Sequence, residues 1–202
     1  MKRLADSISN YMAKELKYDD EKREILSYGL QVFLGDLAKT ISMLVLAYFL
    51  NIFITTLVVM ISFVFFRRII GGTHADTYNK CYFVSVLLIL LLGKVGEIVD
   101  LKFTQITILI LIVYILAVIA TILWIPAGTE KKMIKNKATR KKIKIETMIL
   151  LTFWAILISY LNSLELFKYV ISSLLGVALA FFFTTPLGYR FMDFKLLKIN
   201  IN

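Results

Sequence analysis

From residue 30 to residue 66 the chain is almost uninterruptedly apolar, with Asp36 and Lys39 as its only charged side chains. A single helix of those 37 residues would measure about 55 Å at 1.5 Å per residue, against about 30 Å for the hydrocarbon core of a bilayer. The run therefore has to fold as two membrane spans. Asn51 is the natural turn between them, which gives spans at 26–50 and 52–68. The second is short enough for Arg67 and Arg68 to snorkel to the interface. Further apolar runs of spanning length follow at 81–99, 103–125, 146–162 and 166–185. The expected fold is an all-α membrane protein, a polytopic bundle of about six transmembrane helices. Composition agrees, because 59% of the residues are hydrophobic and the mean hydropathy is +0.78, where a soluble domain has roughly 45–50% apolar residues.

The first 24 residues differ from the rest. Leu4, Ile8, Tyr11, Met12 and Leu16 recur at helical spacing, while six basic and six acidic residues occupy the other faces. This pattern predicts an N-terminal amphipathic helix lying at the membrane interface; a lead-in helix packed on the bundle is the alternative. Lys2 and Arg3 are not followed by an apolar core of secretory type, so the segment is expected to stay on the chain.

The basic residues give the expected orientation. With the N-terminus inside, the inner segments hold 6 Lys and Arg in 1–24, 3 in 67–80, 8 in 127–144 and 3 in 186–202. The outer connections hold only Lys94, Lys102 and Lys168, and Lys39 lies within a span. The positive-inside rule therefore favours six spans with both termini in the cytoplasm. The net charge of +10 does not indicate a nucleic-acid binder, since the basic groups sit between apolar runs and not on a polar surface. The expected organisation is one membrane domain: interfacial helix 1–24, spans one and two at 26–68, a polar loop 69–80, spans three and four at 81–125, a basic loop 126–145, spans five and six at 146–185, and a tail 186–202.

Chemistry has few places to reside. One Cys excludes an intramolecular disulfide, and one His with one Cys cannot fill a four-ligand zinc site. No metal or cofactor is expected. The sole imidazole, His74, and the sole thiol, Cys81, are seven residues apart in the loop before span three. In a continuous helix they would stand about 10.5 Å apart along the axis, too far for a hydrogen bond. Gly71-Gly72 supplies a break, because glycine admits the positive φ values that end a helix and fold a loop back. Cys81 would then open span three near its N-terminus, where the helix dipole favours a thiolate and His74 could take its proton. Each residue has a plainer reading: a small buried hydrophobe for Cys81, loop filler for His74, topology anchors for Arg67 and Arg68, a tight turn for Gly71-Gly72. Their coincidence at one membrane face argues for a catalytic Cys/His pair.

The stretch Arg67-Arg68-Ile69-Ile70-Gly71-Gly72-Thr73-His74-Ala75, with Cys81 seven residues after the histidine, resembles the accessory gene regulator B (AgrB) family, the membrane cysteine endopeptidases of peptide quorum sensing. The likeness is strongest from Gln31 to Cys81. It implies His74 and Cys81 as the catalytic pair, with Gln31, Arg67 and Gly72 as oxyanion-binding or substrate-positioning residues. The family often has consecutive lysines followed by Pro after span four; here Lys131 and Lys132 are followed by Met133. The implied substrate is an AgrD-like precursor peptide with an amphipathic leader, a Cys-containing segment and an acidic tail, and the implied location is a bacterial plasma membrane with a cytoplasmic-face active site.

On that basis Cys81 would attack the carbonyl between segment and tail, and the substrate's own Cys would close a thiolactone on the resulting thioester. Backbone amides near Gly72 or at the start of span three and the side-chain amide of Gln31 are the expected oxyanion donors. Asp76 is a weak candidate to orient His74. The basic loop, with Lys131 and Lys132, would dock an acidic peptide tail or anionic lipid. The sequence leaves room for a homodimer. A transporter or channel using Asp36, Lys39, Arg67 and His74 is the principal rival, and a noncatalytic scaffold that recruits a partner through the basic loop is another. Asp36 and Lys39 are three residues apart and also suit a simple intramembrane ion pair.

Overall fold

The computed structural model describes residues 2–73, 77–127 and 136–193. Among the described residues there are eight helices: α1 (Lys2–Leu16), α2 (Asp20–Phe49), α3 (Phe53–Ile70), α4 (Tyr78–Ile98), α5 (Phe103–Trp124), α6 (Lys137–Ser163), α7 (Phe167–Phe182) and α8 (Pro186–Asp193). Five of them, α2 to α6, are long and apolar enough to cross a membrane. The sixth apolar run is divided: α7 has 16 residues, about 24 Å of helix, and α8 leaves it at an angle of 86°. The pair passes the same test together, so this is a multi-pass α-helical membrane protein.

The chain separates into two compact units, residues 1–49 and 50–202. The first is the α1–α2 hairpin. Asp19 accepts a hydrogen bond from the backbone N–H of Lys22 at 2.9 Å and so starts α2. The small face of α1, Ala5, Ser9 and Ala13, is buried, while Leu4, Tyr11 and Leu16 of the apolar stripe are exposed. The helix thus packs through its small residues and leaves its large apolar ones for a membrane interface. Along α2, Lys39 Nζ and Asp36 Oδ1 meet at 2.7 Å, forming the ion pair that their spacing allows.

The second unit is a bundle built on α3, α4 and α7. Its helices approach closely through small residues, as helices in lipid do because packing, not hydrophobic expulsion, holds them together. A Cβ at Gly93 would lie 2.2 Å from Thr56 Oγ1, at Gly96 2.3 Å from Ser172 Oγ, and at Gly176 2.5 Å from the Val59 carbonyl oxygen. Ser173 adds polar attachment, since its hydroxyl meets Ser62 Oγ at 2.9 Å and accepts from Trp154 Nε1 at 3.0 Å. Phe66, Ile70, Trp154 and Phe181 are buried in this core, where the ring of Phe66 meets those of Trp154 and Phe181. The outer faces remain apolar: Leu87, Leu111, Phe153 and Ile156 are each more than half exposed, which is costly in water and costless in lipid.

One segment differs from its expected form. The basic stretch from Lys137 to Lys144, read above as part of a loop, is the beginning of α6. Asn136 caps it by accepting from the Ala138 N–H at 2.9 Å. Lys and Arg are good helix formers, so a charged helix extends out of the apolar run. Lys144 turns back and donates to the Ile122 carbonyl in the last turn of α5 at 2.6 Å, satisfying a group that a helix end leaves open.

Candidate functional site

Helix α3 ends at Ile70 because Gly71 and Gly72 follow with φ of +75° and +126°, values that side chains disfavour. The chain then makes three contacts across the bundle. Ala127, just after α5, donates its N–H to the Ile70 carbonyl at 3.0 Å and accepts from the Gly72 N–H at 3.0 Å. This pair of bonds forms a one-residue parallel bridge between Gly71 and Ala127. The Thr73 N–H donates to the carbonyl of Phe183, in the elbow between α7 and α8, at 3.3 Å. The connections after α3, α5 and α7 therefore meet at one end of the bundle. They are the basic connections that the charge count expects on the inner side.

Arg67 completes this junction. Its guanidinium folds over the end of α3, donating to the Gly71 carbonyl at 2.8 Å and also to the Thr73 carbonyl. It lies over the ring of Phe183, 5.6 Å from the centroid. A Cβ at Gly72 would stand 1.8 Å from Arg67 Nη1 and 2.8 Å from the Phe183 carbonyl oxygen, so this glycine is required by space as well as by φ. Arg68, one residue on, is exposed. The two arginines of the motif therefore have different tasks: one holds a loop and the other faces outward.

Cys81 is the fourth residue of α4. Thr77 caps the helix, its hydroxyl accepting from the Lys80 N–H and its carbonyl from the Cys81 N–H at 3.0 Å. Cys81 is thus in the first turn, with its own N–H already bonded. The thiol is partly buried, and Ser85 Oγ lies 4.0 Å from Sγ. The Gly72 and Thr73 amides, expected as oxyanion donors, are both spent on the junction. His74 and Asp76 lie outside the described residues, as do Lys131 and Lys132. Among the described residues no group of three or more His, Cys, Asp or Glu side chains could hold a metal ion.

Gln31 belongs to the other unit, half-buried on α2. Its Nε2 donates to Ser27 Oγ at 3.1 Å, and Ser27 Oγ donates to Asp6 Oδ1 on α1 at 2.6 Å. Sequence reasoning named neither Asp6 nor Ser27, and it named neither Ala127 nor Phe183 as a partner of the glycine loop. The last two act through backbone atoms, which no residue type announces.

Fold and junction together define a multi-pass membrane protein with a single thiol at the head of a span, next to an arginine-held glycine loop. Comparison with known proteins makes the assignment specific. The family model described as Accessory gene regulator B matches residues 5–184. A putative AgrB-like protein of Clostridium perfringens (strain SM101 / Type A) is 25% identical over 185 residues, covering 87% of this chain and 86% of that protein. Accessory gene regulator protein B of Staphylococcus aureus (strain Newman) is 32% identical over 151 residues, 75% of this chain and 78% of that protein. The protein of the same name from strain MRSA252 is 31% identical over 137 residues, 68% and 71%. No solved structure matches. The chain belongs to the accessory gene regulator B family.

Proposed function

We propose that the protein is a membrane-embedded cysteine endopeptidase of peptide quorum sensing that removes the C-terminal tail of an AgrD-like precursor and promotes closure of a thiolactone. The observation that carries this reading is the placement of the only thiol, Cys81, in the first turn of α4, just after a loop whose backbone is held by Arg67, Ala127 and Phe183. That loop leads into the only imidazole, His74. Family membership supports the same reading.

The reaction proceeds in two transfers. His74 takes the thiol proton and the Cys81 sulfur attacks the carbonyl joining segment and tail. The C–N bond breaks as His74 returns the proton to the departing amine, leaving a thioester on Cys81. His74 then takes the proton of the precursor's own thiol, whose sulfur attacks that carbonyl; the bond from the carbonyl carbon to Cys81 sulfur breaks as the ring thioester forms, and His74 returns the proton to Cys81. One thioester replaces another, so the second transfer is nearly balanced, and water has to be kept out. Arg67 and Gly72 serve as positioning residues that fix the loop, and the family likeness gives Gln31 an oxyanion-binding or substrate-positioning role. Lys131 and Lys132 attract the acidic tail. We place the site and both termini on the cytoplasmic side, where the basic connections belong.

The test is mass spectrometry of a precursor encoded beside this gene, co-expressed with the wild type, Cys81→Ser or His74→Ala at matched membrane levels. Tail loss with the wild type alone, followed by loss of one water from the trimmed segment, is the expected result. Tail loss with Cys81→Ser overturns the mechanism.

A further inference from the structure

We infer that the groove between α4 and α5 is a binding site for one acyl chain of a phospholipid in the leaflet on the glycine-loop side of the membrane. Although α4 and α5 are consecutive spans, they scarcely touch, and each packs on α7 instead. The space left between them is a groove of about 530 Å3, lined on α4 by Leu92, on α5 from Val113 to Trp124, and on α7 by Leu175, Ala178 and Thr185 among others. Apart from the Thr185 hydroxyl and the Trp124 indole N–H, its lining side chains are hydrocarbon. A void of that chemistry does not hold water. Three features select the occupant. From Val113 to Trp124 α5 rises about 16 Å, and the hydrocarbon of one leaflet is about 15 Å deep, half of the bilayer core. A helix of that length and about 10 Å across occupies about 1,200 Å3, more than twice this groove, so a hydrocarbon chain enters where a helix does not. The two polar groups stand together at the mouth, where α5 ends and the elbow after α7 begins, the level at which indoles meet lipid glycerol and ester groups.

The site adjoins the helix that carries the thiol. Helix α4 lines the groove through Leu92, at its deep end. Leu92, Leu88, Ser85 and Cys81 recur at the spacing of one helix face and are all partly buried, and Ser85 Oγ lies 4.0 Å from Cys81 Sγ on that face. A chain in the groove therefore runs along the flank of α4 whose first turn holds Cys81, and puts hydrocarbon there in place of water. The consequence for a thioester that water must not reach rests on the function proposed above; the chain site does not.

The test is photolabelling of the full-length protein in phosphatidylglycerol vesicles that contain a trace of the same lipid with a diazirine on one chain, followed by peptide mapping. A diazirine at the chain terminus is expected to mark Leu92 and Val113 at least about fivefold more heavily than Leu87 and Phe153, since a held chain outlasts an exchanging one. Those two residues are exposed on outer faces and report bulk lipid. A diazirine beside the glycerol should mark Trp124 and Thr185 instead. Ala178 is exposed in the floor of the groove, so Ala178→Phe fills it and should bring labelling of Leu92 and Val113 down to the bulk level. Unchanged labelling of Leu87 and Phe153 shows that this variant is folded in the bilayer, and Ala178→Val should give a smaller loss. Groove residues marked no more than Leu87 and Phe153 mean passing lipid only, and groove residues left unmarked mean that α2, a second copy or another protein covers them; either result overturns the site. Labelling needs neither precursor nor catalysis, so undiminished tail release by Cys81→Ser would defeat the cysteine mechanism while the labelling still decides the chain site.

Discussion

The two ends of the bundle formed by residues 50–202 are joined by different means. Where α3, α5 and α7 end, the joints are backbone hydrogen bonds: Gly72 to Ala127, Ala127 to Ile70, Thr73 to Phe183, with Arg67 donating into the same loop. At the opposite end, between the α4–α5 and α6–α7 connections, an ion pair joins Lys168 Nζ to Glu97 Oε1 at 2.6 Å, with 58% and 32% of those side chains exposed. An exposed ion pair contributes little, because water solvates both charges when they part. A buried backbone joint has no such substitute, because an unpaired N–H or C=O away from water carries its full desolvation cost. The end beside Cys81 is therefore held through backbone atoms, whereas the Lys168–Glu97 pair can part at small cost.

Substitutions at the two ends should separate widely. Gly72→Ala has the largest expected effect: it combines a φ of +126° with a Cβ 1.8 Å from Arg67 Nη1. Tail release should fall at least about a hundredfold, or about 3 kcal/mol of barrier, with the protein still present in the membrane by immunoblot. Next comes the arginine pair. Arg67→Lys keeps the charge but loses the planar fork that spans two carbonyls, and should slow release roughly tenfold to hundredfold. Arg68→Lys should leave the rate unchanged, and equal losses at both positions would remove the distinction drawn between them. A smaller effect is expected for Lys131→Gln with Lys132→Gln, which should raise KM several-fold while kcat holds, and lose its effect at high salt. Lys168→Ala, which unpairs Glu97 at the opposite end, should change neither cleavage rate nor melting temperature measurably.

The fold was largely legible because hydropathy over spanning lengths is a strong signal and breaks have residue signatures. Asn51, with φ of +56°, and Gly71-Gly72 both stand at helix ends where sequence reasoning put turns. The start of α6 was hidden because polarity suggests a loop while Lys and Arg readily form helix. The site was legible only in part. Arg67, Gly72 and Cys81 are close in sequence, so their motif could be read directly. Ala127 and Phe183 lie far along the chain and contribute only a carbonyl or an amide, which every residue has. Asp6 and Ser27 were missed for another reason: each is an ordinary polar residue on its own helix, and only the packing of α1 on α2 brings their side chains together.

The central claim, that Cys81 carries the peptide as a thioester, is tested most directly by trapping it. A precursor whose own cysteine is replaced by alanine cannot close the ring, so the acyl group can leave Cys81 only to water. Intact-protein mass spectrometry after incubation with that precursor should show the wild type heavier by the acyl group that remains when the tail departs, leader and segment together. Peptide mapping should place the adduct on Cys81, hydroxylamine should remove it, and Cys81→Ser should lack it. Tail release by the wild type with no adduct at Cys81, and undiminished release by Cys81→Ser, would contradict the account.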